Sequence, residues 1–304
     1  MIKEAGAAQK DAIYELLQSA YPTRSRAYLG FYFKYIYDQG KTICLEQDER
    51  IIAAMSMHEH VMNFNGRKLL VSFLSGVATL PDYRRRGHMR YLMQSMLDEA
   101  EHNHLITLIE AFNPKLYETF GFETIYQTKT YTINSRYFEK VKKRGVSHNV
   151  SAVELFELYQ KYAKHFDGCY VRDTQYFETF MRKALLDHGN ICVYRNKDHE
   201  VCGYAVYEEN SVEVRVHEIV YVDSIALMKM LRFISEGYPD VTVTVSPSEK
   251  LEKLFPLTIP KKSGYTMARI NNYELFNKLY NSKVKSVKEA FAITKKPLFL
   301  HEEY

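Results

Sequence analysis

The chain has 304 residues, 46% of them hydrophobic and 26% charged, and a formal net charge of +4. At about 150 residues per domain this is enough for about two domains with cores of their own, and the composition excludes a disordered or collagen-like chain. So small a positive excess supplies no polyanion-binding tail, and no nucleic acid is expected as a partner. The four cysteines (Cys44, Cys169, Cys192, Cys202) form no C-x-x-C pair. No apolar run reaches the roughly 20 residues a membrane span needs, and the first residues lack a secretory apolar stretch. The expectation is a cytoplasmic protein with reduced thiols, no metal and no membrane contact.

Residues 9–20 predict a first helix, with Ile13, Leu16, Leu17 and Ala20 at helical spacing. Strands are expected at 42–47 and 51–58. Asn65-Gly66 predicts a hairpin, because both residues tolerate the positive φ of a type I′ turn. The nearly uncharged stretch 68–80 reads as a strand buried on both faces. A helix at 88–102 follows, with Met89, Leu92, Met93, Met96, Leu97 and Ala100 on one stripe. Residues 105–109 read as a buried strand, 113–120 as a short helix ending at Gly121, and 124–133 as a further strand. Residues 134–149, polar and basic, read as a linker.

A second unit begins with helices at 151–165 and 175–187, the latter capped by Asp173. Strands at 190–195, 201–208 and 211–221, a helix at 224–236 and a strand at 241–245 complete it. Strand-strand-strand-helix-strand thus occurs twice, which predicts two copies of one mixed α/β fold. The last 40 residues carry one helical pattern, 273–280, and too little apolar mass for an independent core.

The chemistry concentrates in Ser75-Gly-Val-Ala-Thr-Leu-Pro-Asp-Tyr-Arg-Arg-Arg-Gly-His-Met-Arg90. A buried strand ends, a loop rich in Arg and Gly follows, and a helix opens directly. First-turn helix amides lack partners and lie at the positive end of the helix dipole. Gly87 lets the backbone approach an anion closely, and Arg84, Arg85 and Arg86 add charge-assisted hydrogen bonds. A pyrophosphate fits such a site. The segment matches neither the P-loop nor the dinucleotide-binding glycine fingerprint. His58-Glu59-His60 would place two histidines on one face of a strand, but no third ligand is visible.

The segment resembles motif A of the GNAT N-acetyltransferases, R/Q-x-x-G-x-G/A, with Met89 in place of the final small residue. More narrowly, Gly76-Val-Ala-Thr-x-Pro-x-Tyr-Arg-Arg-Arg-Gly87 with Tyr117-Glu-Thr-Phe-Gly-Phe122 resembles the enhanced intracellular survival (Eis) acetyltransferases. Phe166-Asp-Gly168, Val171-Arg-Asp173 and Met267-Ala-Arg-Ile270 resemble later landmarks of that family, so the similarity covers nearly the whole chain.

The resemblance implies an α/β (α+β, mixed-sheet) protein of tandem GNAT-like folds. Residues 1–146 would form the acetyl-CoA domain and 147–265 a second GNAT-like domain without the cofactor motif. Residues 266–304 would be a remnant of a sterol-carrier-like domain. It implies acetyl-CoA as acetyl donor and a primary amine as acceptor. Val77, Ala78 and Thr79 would hold the pantetheine arm. Arg84, Arg85, Arg86, Gly87, His88, Met89 and Arg90 would surround the pyrophosphate, with Phe112 and Asn113 near the acyl end. Tyr117 would be the proton donor, and the α-carboxylate of Tyr304 would receive the amine. The apolar run 297–300 argues against a frayed terminus. The family also implies a homo-oligomer, a hexamer in its best-known form. In the second unit the corresponding junction, 221–227, has neither Gly nor Arg, so nothing there suits a pyrophosphate. Two alternatives stay open: an acetyl-CoA sensor without turnover, and a different acyl donor.

Overall fold

The computed structural model describes residues 1–186 and 189–301. The chain opens with β1 (Ile2–Glu4), α1 (Lys10–Ala20), α2 (Arg26–Tyr35), β2 (Lys41–Gln47), β3 (Arg50–Phe64) and β4 (Arg67–Thr79). Next come α3 (His88–Asn103), β5 (Ile106–Glu110), α4 (Lys115–Glu118) and β6 (Glu123–Asn134). The second half runs β7 (Val146–Ser147), α5 (Ala152–Ala163), β8 (Cys169–Tyr170), α6 (Thr174–Leu186), β9 (Gly189–Arg195), β10 (Val201–Glu209) and β11 (Val214–Tyr221). It ends with α7 (Ser224–Ile234), β12 (Asp240–Val245), β13 (Lys261–Ile270), α8 (Tyr273–Tyr280) and α9 (Val287–Ala292).

The compact units are not contiguous in sequence. Of the described residues, one comprises Met1–Ile125 with Tyr265–Ile293, and the other comprises Tyr126–Gly264 and the tail 294–301. The strand 124–133, expected to close the first unit, therefore pairs in the second, where Lys129–Asn134 run antiparallel to β12. The first unit receives β13 instead, whose Thr266–Ile270 pair antiparallel with β5.

In the first unit β1, β2, β3 and β4 pair antiparallel in order, and β4 pairs parallel with β5. The parallel step follows from chemistry of connection: α3 lies between these strands and carries the chain back across the sheet. The stripe of α3 buries Leu92, Met93, Met96, Leu97 and Ala100 with Ile13, Leu16 and Leu17 of α1. β3 runs six residues beyond its expected end, because the positive φ of Asn65 (45°) and Gly66 (80°) places the turn after Phe64. Phe64 packs against Phe276, Tyr280 and Phe291, so α8 and α9 cover the end of that hairpin. This accounts for part of the apparently coreless C-terminal stretch.

Two helices have no counterpart in the sequence reading. α2 is capped by Ser25, whose hydroxyl accepts the Tyr28 N–H at 3.0 Å, but Gly30 and five ring residues blur its period. α9 is only six residues long. The basic stretch 134–149 is more than a linker: Phe138 is fully buried and β7 pairs with β9.

In the second unit β9, β10 and β11 pair antiparallel, β11 pairs parallel with β12, and β12 antiparallel with β6. Asp173 caps α6 as expected, accepting the Tyr176 N–H at 2.7 Å. Ser151 and Glu154 form a reciprocal capping box at the start of α5.

Candidate active site

The site forms where β4 leaves β5. Their parallel ladder covers only Ser72–Leu74 against Thr107–Ile109, yet β4 continues to Thr79. The departure is built into the sequence. On the β3 side the register shifts between Ala54 and Ser56, so Gly76 and Val77 together oppose Met55. This is a β-bulge, and Gly76 takes the φ of +57° it requires. A Cβ there would meet Ser56, Leu17 and Tyr32 at 3.4–3.8 Å, ordinary contact, so it is the backbone angle that calls for glycine. Past the bulge, among the described residues, no ladder joins β4 to β5 over 75–79, the stretch assigned from sequence to the pantetheine arm through Val77, Ala78 and Thr79; of its carbonyls, those of Val77 and Thr79 accept from side chains. A ligand with amide groups along its length can complete that ladder.

The loop after β4 turns through Pro81–Tyr83 and reaches Gly87, whose φ of +85° opens α3. No side chain caps this helix. Its first intrahelical bond runs from Tyr91 N–H to the Gly87 carbonyl. The amides of His88, Met89 and Arg90 are therefore left pointing out of the helix end. A Cβ on residue 87 would meet no atom within 4 Å, so the space above these amides is open. Backbone amides, helix dipole and open space together suit a phosphate or pyrophosphate.

The four arginines diverge. Arg84 Nε donates to the Thr79 carbonyl at 3.1 Å, tying the loop back to β4. Arg85 holds a positive φ of 62°, unusual for a residue with a Cβ. The Arg86 guanidinium sits 5.3 Å from the Tyr83 ring centre, and that of Arg90 5.6 Å from Phe120. All four are exposed, so they ring the loop with positive charge rather than forming one clamp. Met89 packs its side chain on the core of the first unit, which leaves its backbone N–H as the group available to a ligand. His88 is half-buried beside Tyr83.

Tyr117 lies on α4, 8% exposed, beside Phe122. Burial raises its hydroxyl above the ordinary phenol value. Gly121, with φ of +82°, ends the short helical turn and returns the chain to β6. Phe112 is fully solvent-exposed and Asn113 is exposed beside it; the Asn113 carbonyl accepts the Leu116 N–H at 3.2 Å and so starts the turn that carries Tyr117. The structure thus gathers 77–79, 84–90 and Tyr117 within one unit. Tyr304 lies outside the described residues.

Sequence reasoning missed Tyr21. Its hydroxyl donates to the Val77 carbonyl at 2.6 Å, at the bulge itself. Burial, and next the neighbouring Tyr117, push this phenol well up. The two hydroxyls therefore share one part of the site. Tyr21 follows α1 in a stretch without periodicity, so no pattern marks it. His58 is taken by the core instead: its Nε2 lies 3.2 Å from the Tyr32 hydroxyl, and burial holds its pKa at about 4.

Comparison with known proteins follows the same lines. Two family models, each describing an acetyltransferase (GNAT) domain, match residues 1–125 and 168–270. Among curated proteins no match is found. A protein from Enterococcus faecalis V583 described as a probable N-acyltransferase is 20% identical, with a TM-score of 0.78 over 91% of this chain and 74% of that one. Eis1 from Mycobacterium abscessus is 14% identical, with a TM-score of 0.68 over 91% of this chain and 75% of that one. A tandem GNAT protein from the clavulanic acid biosynthesis pathway is 11% identical, with a TM-score of 0.60 over 90% of this chain and 99% of that one. At these identities the likeness is one of fold.

Proposed function

Because the chain belongs to the GNAT acetyltransferases, carries two such domains in tandem and folds like Eis, we propose that it transfers the acetyl group of acetyl-CoA to a primary amine, on an aminoglycoside-like polyamine, a peptide or a protein lysine. GNAT acetyltransferases take acetyl-CoA as acyl donor, and the first unit has the parts to hold it. The observation that carries the reading is the pairing of two features: the end of the β4–β5 ladder at Leu74, with β4 running on, and the uncapped start of α3 at Gly87. One suits the amide-bearing arm and the other the pyrophosphate.

The bulge at Gly76–Val77 aims backbone groups at the thioester end, where an N–H can stabilise charge on the acetyl oxygen. Tyr21 fixes the Val77 carbonyl and so the peptide plane beside it. Tyr117 then donates to the departing sulfur. Its raised pKa keeps it protonated at neutral pH, and its contribution is a hydrogen bond that strengthens as the sulfur gains charge, since full proton transfer from a phenol held above its ordinary value to a less basic thiolate runs uphill. The acceptor arrives as an ammonium ion and gives up a proton to water before its lone pair attacks the thioester carbon; the amide nitrogen loses its second proton as the C–S bond breaks. The family resemblance assigns the group that attracts and orients it to the α-carboxylate of Tyr304, a weak base whose main effect is electrostatic. The same resemblance supports a homo-oligomer, and the four free, buried cysteines are in keeping with a reducing, cytoplasmic setting. No helix among the described residues is long and apolar enough to cross a membrane.

The test is release of free thiol from acetyl-CoA across a panel of polyamines, aminoglycosides and lysine peptides. Turnover that requires an amine supports the reading. Calorimetric binding of acetyl-CoA with no turnover on any amine would replace it with an acetyl-CoA sensor. Turnover with longer acyl-CoAs in preference to acetyl-CoA would change the donor.

A further inference from the structure

The second unit repeats the departure of two parallel strands. β11 pairs with β12 only at Arg215–Val216 against Thr242–Val243, yet β11 continues to Tyr221 and β12 to Val245. In the first unit this geometry frames the proposed cofactor arm. In the second, the residues around the diverging strands hold the chain's own tail.

The attachment is continuous along the tail. Asp167 Oδ2 accepts the N–H groups of Lys295 and Lys296 at 3.1 and 3.0 Å, and the Asp167 N–H donates to the Pro297 carbonyl at 2.9 Å. Ser246, directly after β12, donates to the Leu298 carbonyl at 3.2 Å. The Phe299 N–H donates to the Gly168 carbonyl at 2.8 Å, in a parallel bridge with Cys169. The Phe299 ring is buried against Tyr159, Tyr162 and Phe166. Last, Arg172 Nη2 donates to the His301 carbonyl at 2.7 Å.

Arg172 is itself held on every side. Its two terminal nitrogens meet the two Glu218 oxygens at 2.9 and 3.0 Å, and the Tyr204 hydroxyl donates to Glu218 at 2.5 Å. Its guanidinium lies 4.7 Å from the Tyr159 ring centre and 4.8 Å from that of Tyr176. Burial alone would push the Glu218 carboxyl up; Arg172, with His301 and Tyr204, holds it below the ordinary value, so the pair is ionic. An ion pair this enclosed fixes geometry more than it adds stability. The geometry it fixes is the position of residue 301. The same segment explains two motifs that the site did not absorb: Phe166-Asp-Gly168 and Val171-Arg-Asp173 supply most of these contacts.

We propose that the second unit serves acyl transfer as a socket for the tail, and that Arg172 is the positioning residue that fixes residue 301. The socket stands on the contacts above; its effect on turnover rests on the proposed role of the Tyr304 carboxylate.

The test uses the full chain with Asp167→Ala and Arg172→Lys, read by amide hydrogen exchange and steady-state kinetics. Arg172→Lys keeps a cation beside Glu218, and Asp167 is only half-buried, so both variants retain the fold; exchange across β10 and β11 verifies this. Each variant removes hydrogen bonds worth about a factor of ten apiece. Exchange at Lys295, Lys296 and Phe299 is expected to rise about tenfold or more, and kcat to fall by about tenfold while the KM for acetyl-CoA stays constant. Unchanged tail exchange in both variants would overturn the socket. A released tail with wild-type kcat would overturn the positioning role. A chain lacking residues 302–304 separates the readings: with tail protection intact, loss of turnover supports the carboxylate role. Full turnover there would remove Tyr304 from the reaction and leave the socket standing.

Discussion

The starts of α3 and α7 occupy the same place in two copies of one fold, and they are finished in opposite ways. At α3 the N-terminal residue is Gly87, in the left-handed region, with no side chain over the first amides. At α7 it is Asp223, whose carboxylate accepts the Ala226 N–H at 2.8 Å. One helix end is open to an external anion; the other carries an internal one. The strand gaps differ likewise: beyond Leu74 the ladder of β4 with β5 ends, while the surroundings of the β11–β12 divergence engage the tail through Ser246 and Arg172, the latter held by Glu218. At the second junction the helix end is capped by the chain's own carboxylate, and the chain's own tail is held beside the strands by side chains.

Four measurements break or sharpen this contrast. The largest effect is expected from Tyr117→Phe, which places the chemistry in the first unit: kcat falls by about 10²-fold, the usual scale for a proton donor, with the acetyl-CoA KM nearly constant. A kcat within twofold of wild type would reduce Tyr117 to a packing residue. Next, Gly87→Asp gives the first junction the second one's cap. It sets a carboxylate on the pyrophosphate amides at a backbone angle that disfavours any side chain, and acetyl-CoA affinity measured by calorimetry falls about thirtyfold or more.

Acid separates the units further. Burial holds His58 and His60 near pKa 4, His60 with help from His58. They are neutral when folded, whereas the unfolded chain takes up protons below the ordinary value of 6.5. Their contribution is complete above pH 6.5 and is lost as pH falls toward 4, on the order of 2 kcal/mol for each histidine by pH 5. Glu218 has a lowered pKa, so its contribution is present above the ordinary 4.5 and fails only below it. Amide exchange at pH 5 against pH 7, corrected for intrinsic rates, is expected to show β3 and β4 loosening before β10 and β11. The smallest effect is Asp223→Ala: about 1 kcal/mol off the stability of the second unit by denaturant unfolding, with acetyl-CoA affinity unchanged.

Much of this contrast is legible in the sequence, because its causes are local. Asn65-Gly66, the α3 stripe, Asp173 and the absence of Gly and Arg at 221–227 each act over a few residues, and the structure places turn, helix and caps accordingly. What the sequence hides is non-local. β6 alternates well enough to read as a strand and β13 does not read as one; no periodicity says that Lys129–Asn134 pair with β12 or that Thr266–Ile270 pair with β5. Tyr21 reaches Val77 across 56 positions from a stretch without pattern. The family resemblance marked Arg172 as a landmark, but its work depends on Glu218 and His301, far away in the chain. Local chemistry thus reveals which site is open, and only the fold reveals how the other is occupied.

The central claim is that acetyl-CoA binds once per chain, at the uncapped start of α3. Calorimetric titration of the full-length protein tests it most directly. The account predicts one site per chain, lost or strongly weakened in Gly87→Asp and unaffected in Asp223→Ala. Two sites per chain, or a single site that survives Gly87→Asp at full affinity, would contradict it.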